Sequence, residues 1–235
     1  MKQKNWIDAG WLCVLFGALC IGAFLYSRKV EPSSIFHQSV RGIVELKAGD
    51  GMREENYGTA VFLDQQGTLI TNAHIVVRKK EHKYQPYKDY AIRFASEEGY
   101  HSVRLVRYDM DLDLAVLQLE NQGVLFQAVT IGKKEKIDYG DSVYAVGNAM
   151  NYGISMEQGI ISRPNVKLEY AGKSREVIQC DMNITSGNSG GALLDENGKL
   201  IGITTFRTKN MDGTVVYGLA YAIPIHTVLE YVGAG

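Results

Sequence analysis

An all-β protein built from two packed barrels is what this sequence predicts, on three observations. Runs of Val, Ile, Leu, Tyr and Thr recur at strand length. Polar turns, several of them containing glycine, separate these runs at hairpin spacing. The runs fall into two groups rather than alternating with helical patterns. Abundant glycine (25 residues) and scarce proline (4 residues) favour the same β-rich reading.

The elements follow in order. Residues 10–26, GWLCVLFGALCIGAFLY, form a run of 17 residues without a charge, close to the shortest length that spans a hydrocarbon layer of about 30 Å. A cleaved signal peptide is the competing reading. No small-x-small site closes the run before Arg28 and Lys29, however, and the residues before Cys20 make a poor lipobox, so an uncleaved transmembrane helix is expected. Lys2 and Lys4 oppose Arg28 and Lys29 across it, a weak orientation signal. A linker carrying Pro32 closes an anchor region of residues 1–34, leaving 35–235 as the globular part, in halves of about 35–130 and 131–235.

In the first half strands are expected at 43–46, 59–63, 68–71, 91–94, 103–106 and 114–119, with Asp64-Gln65-Gln66-Gly67 and Glu97-Glu98-Gly99 as turns. Residues 78–89, RKKEHKYQPYKD, are charged and aromatic without periodicity and read as an exposed loop. In the second half strands are expected at 142–146, 159–162, 167–170, 177–181, 192–194, 200–204 and 215–222, with a turn at Glu196-Asn197-Gly198. After Pro224 the apolar spacing becomes helical, which predicts one short C-terminal helix over 225–232.

Composition narrows the function. Lys plus Arg (25) nearly balances Asp plus Glu (26), so no global field points to nucleic acid, and no nucleic-acid partner is expected. Cys13 and Cys20 lie in the apolar run, which leaves Cys180 without a disulfide partner in the globular part; in its strand-like run it reads as buried filler. There is no HExxH and no paired cysteine cluster, so neither a metal nor a cofactor is expected.

The strongest local signal is Gly187-Asn188-Ser189-Gly190-Gly191. A serine hydroxyl is a weak nucleophile that needs a base for its proton and N–H groups for the oxyanion it creates. Glycine two positions before the serine lets the N–H groups of Gly187 and Ser189 converge, and the glycines after it allow close backbone approach. Alone, GNSGG could be an ordinary turn. His74, at the end of a strand in TNAHIV, supplies a candidate base; His37, His82, His101 and His226 have weaker claims. Asp113, at the entrance of the strand LAVL, supplies a carboxylate to orient it, with Asp109 and Asp111 as close competitors that spacing does not exclude.

These pieces together resemble the HtrA (Deg) branch of the chymotrypsin-type serine proteases. The segments that carry the resemblance are GTAVFLDQQGTLITNAHIV, DLDLAVLQL, GDSVYAVGNAMNYGISMEQGIIS, VIQCDMNITSGNSGGALLDENGKLIGITT and GLAYAIPIHTVL, in order across most of residues 58 to 229. The resemblance implies two packed six-stranded barrels and a serine endopeptidase acting on protein or peptide substrates. It places the catalytic carboxylate immediately before the Leu-Ala-Val run, which selects Asp113, and it assigns His74 as base and Ser189 as nucleophile. The amides of Gly187, Asn188 and Ser189 are expected around the oxyanion. Asn183, Ile184 and Thr185 are expected in the primary specificity pocket, with Ile203, Thr204 and Thr205 as part of a wall. With no carboxylate at Asn183, a small or medium apolar residue is expected before the scissile bond.

Departures from the family pattern bear on regulation. Asn188 replaces the aspartate with which digestive relatives grip a new amino terminus, so activation by zymogen cleavage is not expected. Ser186 and Ala192 stand where relatives carry prolines, which predicts a less preset backbone around the oxyanion. Many relatives continue into a peptide-binding PDZ domain after the segment that ends this chain, so control by a bound peptide tail is not assumed. Homotrimers are common in the family, but here mostly anchor and linker precede Val40. Anchor and resemblance together imply a single-pass cell-membrane protein with its catalytic domain on the periplasmic or extracellular side, working in envelope quality control or regulatory proteolysis. The alternatives are a catalytically inactive binding protein on a protease scaffold and an acyl hydrolase. GNSGG does match the letters of an esterase elbow, but strands flank it on both sides where that elbow passes from strand to helix.

Overall fold

The computed structural model describes residues 30–51, 55–121, 123–132, 137–170, 173–209 and 215–233, together with 14 and 16. The chain divides into two compact units, Met1–Glu31 and Pro32–Gly235. No helix among the described residues is long and apolar enough to cross a membrane; the run 10–26 expected to do so lies, apart from residues 14 and 16, outside them.

The second unit carries both barrels. The first contains β1 (Ile43–Gly49), β2 (Glu55–Phe62), β3 (Thr68–Thr71), β6 (Asp89–Arg93), β7 (His101–Asp109) and β8 (Leu114–Leu119), closed in the order β1-β2-β3-β8-β7-β6. The second contains β9 (Ser142–Asn148), β10 (Ile154–Tyr170), β11 (Lys173–Cys180), β12 (Ala192–Asp195), β13 (Leu200–Lys209) and β14 (Val215–Pro224), closed as β10-β11-β14-β13-β12-β9. Closure leaves neither sheet with an unpaired edge.

Side-chain alternation explains why the strands read as unbroken apolar runs. On β8, Ala115 and Leu117 fill the first barrel while Leu114 and Val116 face a separate cluster. That cluster also takes Val61 and Ile70 from the first barrel and Tyr144, Val146, Ala192, Leu194 and Ile203 from the second, so it is the seam between them. On β9, Val143 and Ala145 fill the second barrel while Tyr144 and Val146 enter the seam. Both faces of these strands are buried, and successive residues serve different cores.

Three elements differ from the sequence expectation. Pro32 does not sit in a linker but opens a helix, α1 (Pro32–Ser39), where its fixed φ suits the first turn and its missing N–H costs nothing. α1 buries Ile35 in the seam cluster. The supposed loop 78–89 contains a hairpin, β4 (Val77–Lys80) with β5 (Lys83–Pro86), turned by Glu81 and His82 at φ 49° and 64°. A turn with two left-handed residues normally uses Asn or Gly, so the sequence carried no signal for it. The strands expected at 159–162 and 167–170 are one strand, β10, whose register with β11 shifts on either side of Arg163, next to Pro164. A one-turn helix, α2 (Ala73–Val76), follows β3.

The C-terminal helix, α3 (Ile225–Gly233), follows the second barrel and is fastened to the first. Arg107 on β7 donates to the Tyr231 and Val232 carbonyls, the latter at 2.8 Å, and its guanidinium lies 4.8 Å from the Tyr231 ring centre. These are last-turn carbonyls without helical partners, at the negative end of the helix dipole. Arg107→Ala is expected to destabilise the domain by about 1.5–3 kcal/mol in urea unfolding, the range for hydrogen bonds from a charged donor. A loss within about 0.5 kcal/mol of zero, ordinary for a surface change, would show the clasp to be inconsequential.

Candidate active site

His74 enters the site because β3 stops at Thr71 and the chain makes a single helical turn. Asn72, extended at φ −81° and ψ 144°, does not cap that turn; its side-chain amide donates to the Asp113 carbonyl oxygen at 3.0 Å. The His74 and Ile75 carbonyls accept from the Asn56 side chain at 3.2 and 3.1 Å, which satisfies acceptors a one-turn helix leaves open. The imidazole is held by its backbone and by one ring nitrogen, with 40% of the side chain exposed.

Asp113 stands before β8 with φ 58°, a left-handed conformation that costs energy outside glycine but that aspartate tolerates better than most residues. The turn before it is braced twice. Asp109 accepts the amides of Asp111 and Leu112 at 2.7 and 2.9 Å, and Arg175 from β11 donates to the Met110 and Asp111 carbonyls at 2.5 Å each. The turned chain directs the Asp113 carboxylate to His74: Nδ1 lies 3.0 and 2.9 Å from Oδ1 and Oδ2, and the His74 backbone N–H donates to Oδ1 at 3.0 Å. Thr205, from the second barrel, donates its hydroxyl to Oδ2 at 2.7 Å. Burial pushes this carboxyl pKa up, but the bond to His74, the imidazole charge, the Thr205 hydroxyl and the His74 amide outweigh it and hold it below the ordinary carboxylate range. With Nδ1 facing a carboxylate, the favoured tautomer carries its proton there and leaves Nε2 as the free base.

Ser189 lies on the connection from β11 to β12, in a loop shaped by glycine. Gly187 has φ 93°, and a Cβ there would fall 2.0 Å from the Asn148 carbonyl oxygen; Gly190 has φ 83°, and its Cβ would fall 2.1 Å from the Thr59 carbonyl oxygen. No other residue fits either place without moving backbone. The Ser189 hydroxyl donates to the Thr205 carbonyl oxygen at 2.8 Å. Thr205 thus touches the serine through its backbone and Asp113 through its side chain, joining Ser189, Thr205, Asp113 and His74 in one hydrogen-bonded chain across the seam. Among the described residues, the N–H groups of Gly187 and Ser189 have no hydrogen-bond partner within the protein. The Asn188 N–H, expected beside them, is instead bonded to the Thr185 carbonyl at 3.2 Å.

The six residues expected to line a specificity pocket divide differently. Ile184 is buried with Val143, Ile161 and Met182 inside the second barrel, and Ile203 lies in the seam, so neither offers a face to a substrate. Thr204 is buried and donates to the Asn188 carbonyl at 2.6 Å; Thr205 is the link just described. Thr185 is half-buried, its hydroxyl enclosed and unpartnered. Only Asn183 is exposed, in an open cleft with Glu157, Asp181 and Met182, where its side chain accepts the Gly218 N–H at 3.2 Å. Burial pushes the Glu157 carboxyl pKa up, and a bond from the Asn183 backbone N–H only partly offsets this. The pocket residues were placed from the family pattern; the connection before β12 buries Ile184, and on β13 Ile203 enters the seam while Thr204 and Thr205 are taken up by the Asn188 carbonyl and the Asp113 carboxylate. Sequence reasoning missed the orienting part of Thr205, as well as Thr59 and Met150, whose contacts with the nucleophile loop join residues far apart in the chain. Of the remaining cysteines only Cys180 is described; it is buried, and its thiol pKa is pushed up to about 12.

Comparison with known proteins agrees with this geometry. A trypsin-like peptidase domain matches residues 58–203. Protease Do-like 5 of Arabidopsis thaliana chloroplasts is 31% identical over 220 residues, covering 87% of this chain and 66% of that protein. Serine endoprotease DegS of Salmonella typhimurium is 36% identical over 170 residues, covering 71% of this chain and 44% of its own length. The solved structure of the HtrA-type protease AlgW with a tripeptide superposes with a TM-score of 0.74 at 28% identity, over 87% of this chain and 63% of that one. The chain therefore spans less than two thirds, or just under, of these relatives. By the match over more than half of its residues, with HtrA-type proteins among its relatives, the chain belongs to the trypsin-like peptidase family and is HtrA-like within it.

Proposed function

We propose that this protein is a serine endopeptidase that cleaves protein substrates through an acyl-enzyme intermediate. The observation that carries the reading is the hydrogen-bonded chain of His74, Asp113, Thr205 and Ser189 beside two unpartnered amides. In the resting geometry the Ser189 hydroxyl is parked on the Thr205 carbonyl. Turning about its Cα–Cβ bond frees it for Nε2 of His74, which takes the proton as oxygen attacks the substrate carbonyl. The amides of Gly187 and Ser189 receive the oxyanion, and the imidazolium, stabilised by Asp113, protonates the departing amine. Water then attacks the acyl-enzyme with His74 again as base.

Several finer readings belong to the same proposal. The uncharged run 10–26 supports a membrane anchor, and the relatedness to the serine endoprotease DegS and to AlgW, the latter solved with a tripeptide, supports a catalytic domain acting on polypeptides; its placement at the periplasmic or extracellular face comes from the family resemblance alone. Quality control of envelope proteins and regulatory cleavage both fit such a placement. Homotrimer formation comes from the family resemblance alone. A small or medium apolar residue before the scissile bond comes from the family resemblance and from the neutral Asn183, whose side chain accepts the Gly218 N–H in a cleft it shares with Glu157 and Asp181.

Four measurements test this. Ser189→Ala is expected to abolish both digestion of an unfolded protein and labelling by a fluorophosphonate, while leaving circular dichroism unchanged; undiminished digestion by that variant would remove the nucleophile. Asp113→Asn is expected to lower kcat by about 10⁴, the cost of a mis-tautomerised histidine. Its effect on stability has a definite sign. Because folding lowers the Asp113 pKa, the stability it contributes is complete above the unfolded value of about 3.9 and is lost as pH falls through the lower native value. Tm of wild type and Asp113→Asn should accordingly converge on acidification, whereas a constant gap from pH 7 downward would contradict the linkage. A survey of cleavage sites on a denatured protein should show apolar residues before the cut; a majority of Lys and Arg would contradict the pocket reading.

A further inference from the structure

The structure assigns to two buried threonines, Thr59 of the first barrel and Thr204 of the second, a share in setting the oxyanion-binding amides: Thr204 grips the peptide plane that carries the Ser189 N–H, and Thr59 grips the plane before it, which joins Gly187 to Asn188, so both are positioning residues of the nucleophile loop. The inference rests on the serine peptidase reading above and deepens it.

In a trans peptide unit the carbonyl and the N–H point in opposite directions, so fixing a carbonyl also aims the N–H of the next residue. The Asn188 carbonyl accepts from the Thr204 hydroxyl at 2.6 Å and from the Gly191 N–H at 3.0 Å. The N–H in that same plane belongs to Ser189, one of the two unpartnered amides. One plane earlier, the Gly187 carbonyl accepts from the Thr59 hydroxyl at 2.7 Å. The N–H of that plane, on Asn188, is thereby turned toward Thr185. On the other side of the serine, the Thr59 N–H donates to the Ser189 carbonyl at 2.9 Å. The Ser186 carbonyl is taken by the Met150 N–H at 2.6 Å, which aims the Gly187 N–H away from the protein's own acceptors.

Every polar group of Thr59 is used. Its hydroxyl also accepts the Asn148 N–H at 2.9 Å, and its carbonyl accepts the Thr71 hydroxyl at 2.7 Å. Thr59 and Thr204 are 0% and 1% exposed, where a valine would fill the same volume without burying a hydroxyl. The Thr204 hydroxyl contributes through the carbonyls it holds, and that of Thr59 through the Gly187 carbonyl and the Asn148 N–H. Gly187 gives a reason for holding them: a glycine at φ 93° is free to take other backbone orientations, and its own N–H and that of Ser189 have to be kept open together. The same clamp supplies order that the absent prolines at positions 186 and 192 would otherwise give.

The test measures fluorophosphonate reaction and peptide hydrolysis by the full chain carrying Thr59→Val or Thr204→Val, with Thr59→Ser and Thr204→Ser as conservative partners. The expected result is a fall of about 10- to 100-fold in the phosphonylation rate constant, up to the scale for a misplacement of about 1 Å and short of the loss of a whole oxyanion donor. Stoichiometry should stay complete, kcat should fall with KM little changed, and the serine variants should recover most of the rate. Cysteine at either position, close in size and a weak donor, should fall between serine and valine; it also serves if a valine variant does not fold. A Val or Cys variant that reacts at the wild-type rate per site, with merely fewer reactive sites, would reduce the threonines to a structural role and overturn the inference. Wild-type protein that does not react at all would instead overturn the peptidase reading, and this inference with it.

Discussion

A carboxylate buried between two barrels has to be neutralised or bonded on every side, and that requirement organises this molecule. Asp113 is 4% exposed and receives the His74 amide, the His74 ring and the Thr205 hydroxyl. Two of these come from the first barrel and the third from the second, so the charge is satisfied only when the barrels are correctly docked. An unpaired carboxylate in that place would cost several kcal/mol. The seam of apolar side chains provides the docking, and the bonds to Asp113 fix its exact alignment. The geometry proposed for catalysis and the association of the barrels are in this way one structural problem.

Strain collects around the same point. Of the five described non-glycine residues with positive φ, Glu81 and His82 turn the β4–β5 hairpin, while Asp113 supplies the carboxylate and Met150, followed by Asn151, holds the Ser186 carbonyl. Left-handed backbone in such residues persists only where surrounding contacts overdetermine it. Here the contacts can be named, as the Asn72 and Arg175 bonds for the Asp113 turn and the Ser186 carbonyl for Met150. The loop carrying Ser189 has its own frame, in which carbonyls 185 to 189 are each bonded within the protein while the two useful amides are left open. A site preset in this way needs little rearrangement when charge develops on a substrate oxygen.

Much of this was legible in the sequence because it depends on local patterns. The strands at 68–71 and 114–119 have the observed bounds, since polar turns border both and their apolar residues are buried on both faces. His74, Asp113 and Ser189 each lie within three residues of a strand end and in a recognisable neighbourhood, and the structure brings the first two into direct contact and the third to them through Thr205. What was not legible depends on contacts between distant residues. Thr59 lies 128 positions from Gly187, and nothing in GTAVF signals that its hydroxyl reaches the nucleophile loop. Thr204 and Thr205 were recognisable as neighbours of the site, but the alternation of β13 decided which faced a carbonyl, a carboxylate or a substrate. Pro32 and the Glu81-His82 turn were misread for a local reason: a proline fits a first helical turn as well as a linker, and two left-handed residues without Asn or Gly carry no mark.

The most direct measurement is a crystal structure of the protein after reaction with a peptide phosphonate. The account predicts a bond from phosphorus to the Ser189 oxygen, a phosphoryl oxygen within hydrogen-bond distance of the Gly187 and Ser189 amides, and His74 Nε2 next to the leaving-group position with its Nδ1 still on Asp113. An adduct whose oxygen meets neither amide, or one formed on a different side chain, would contradict it.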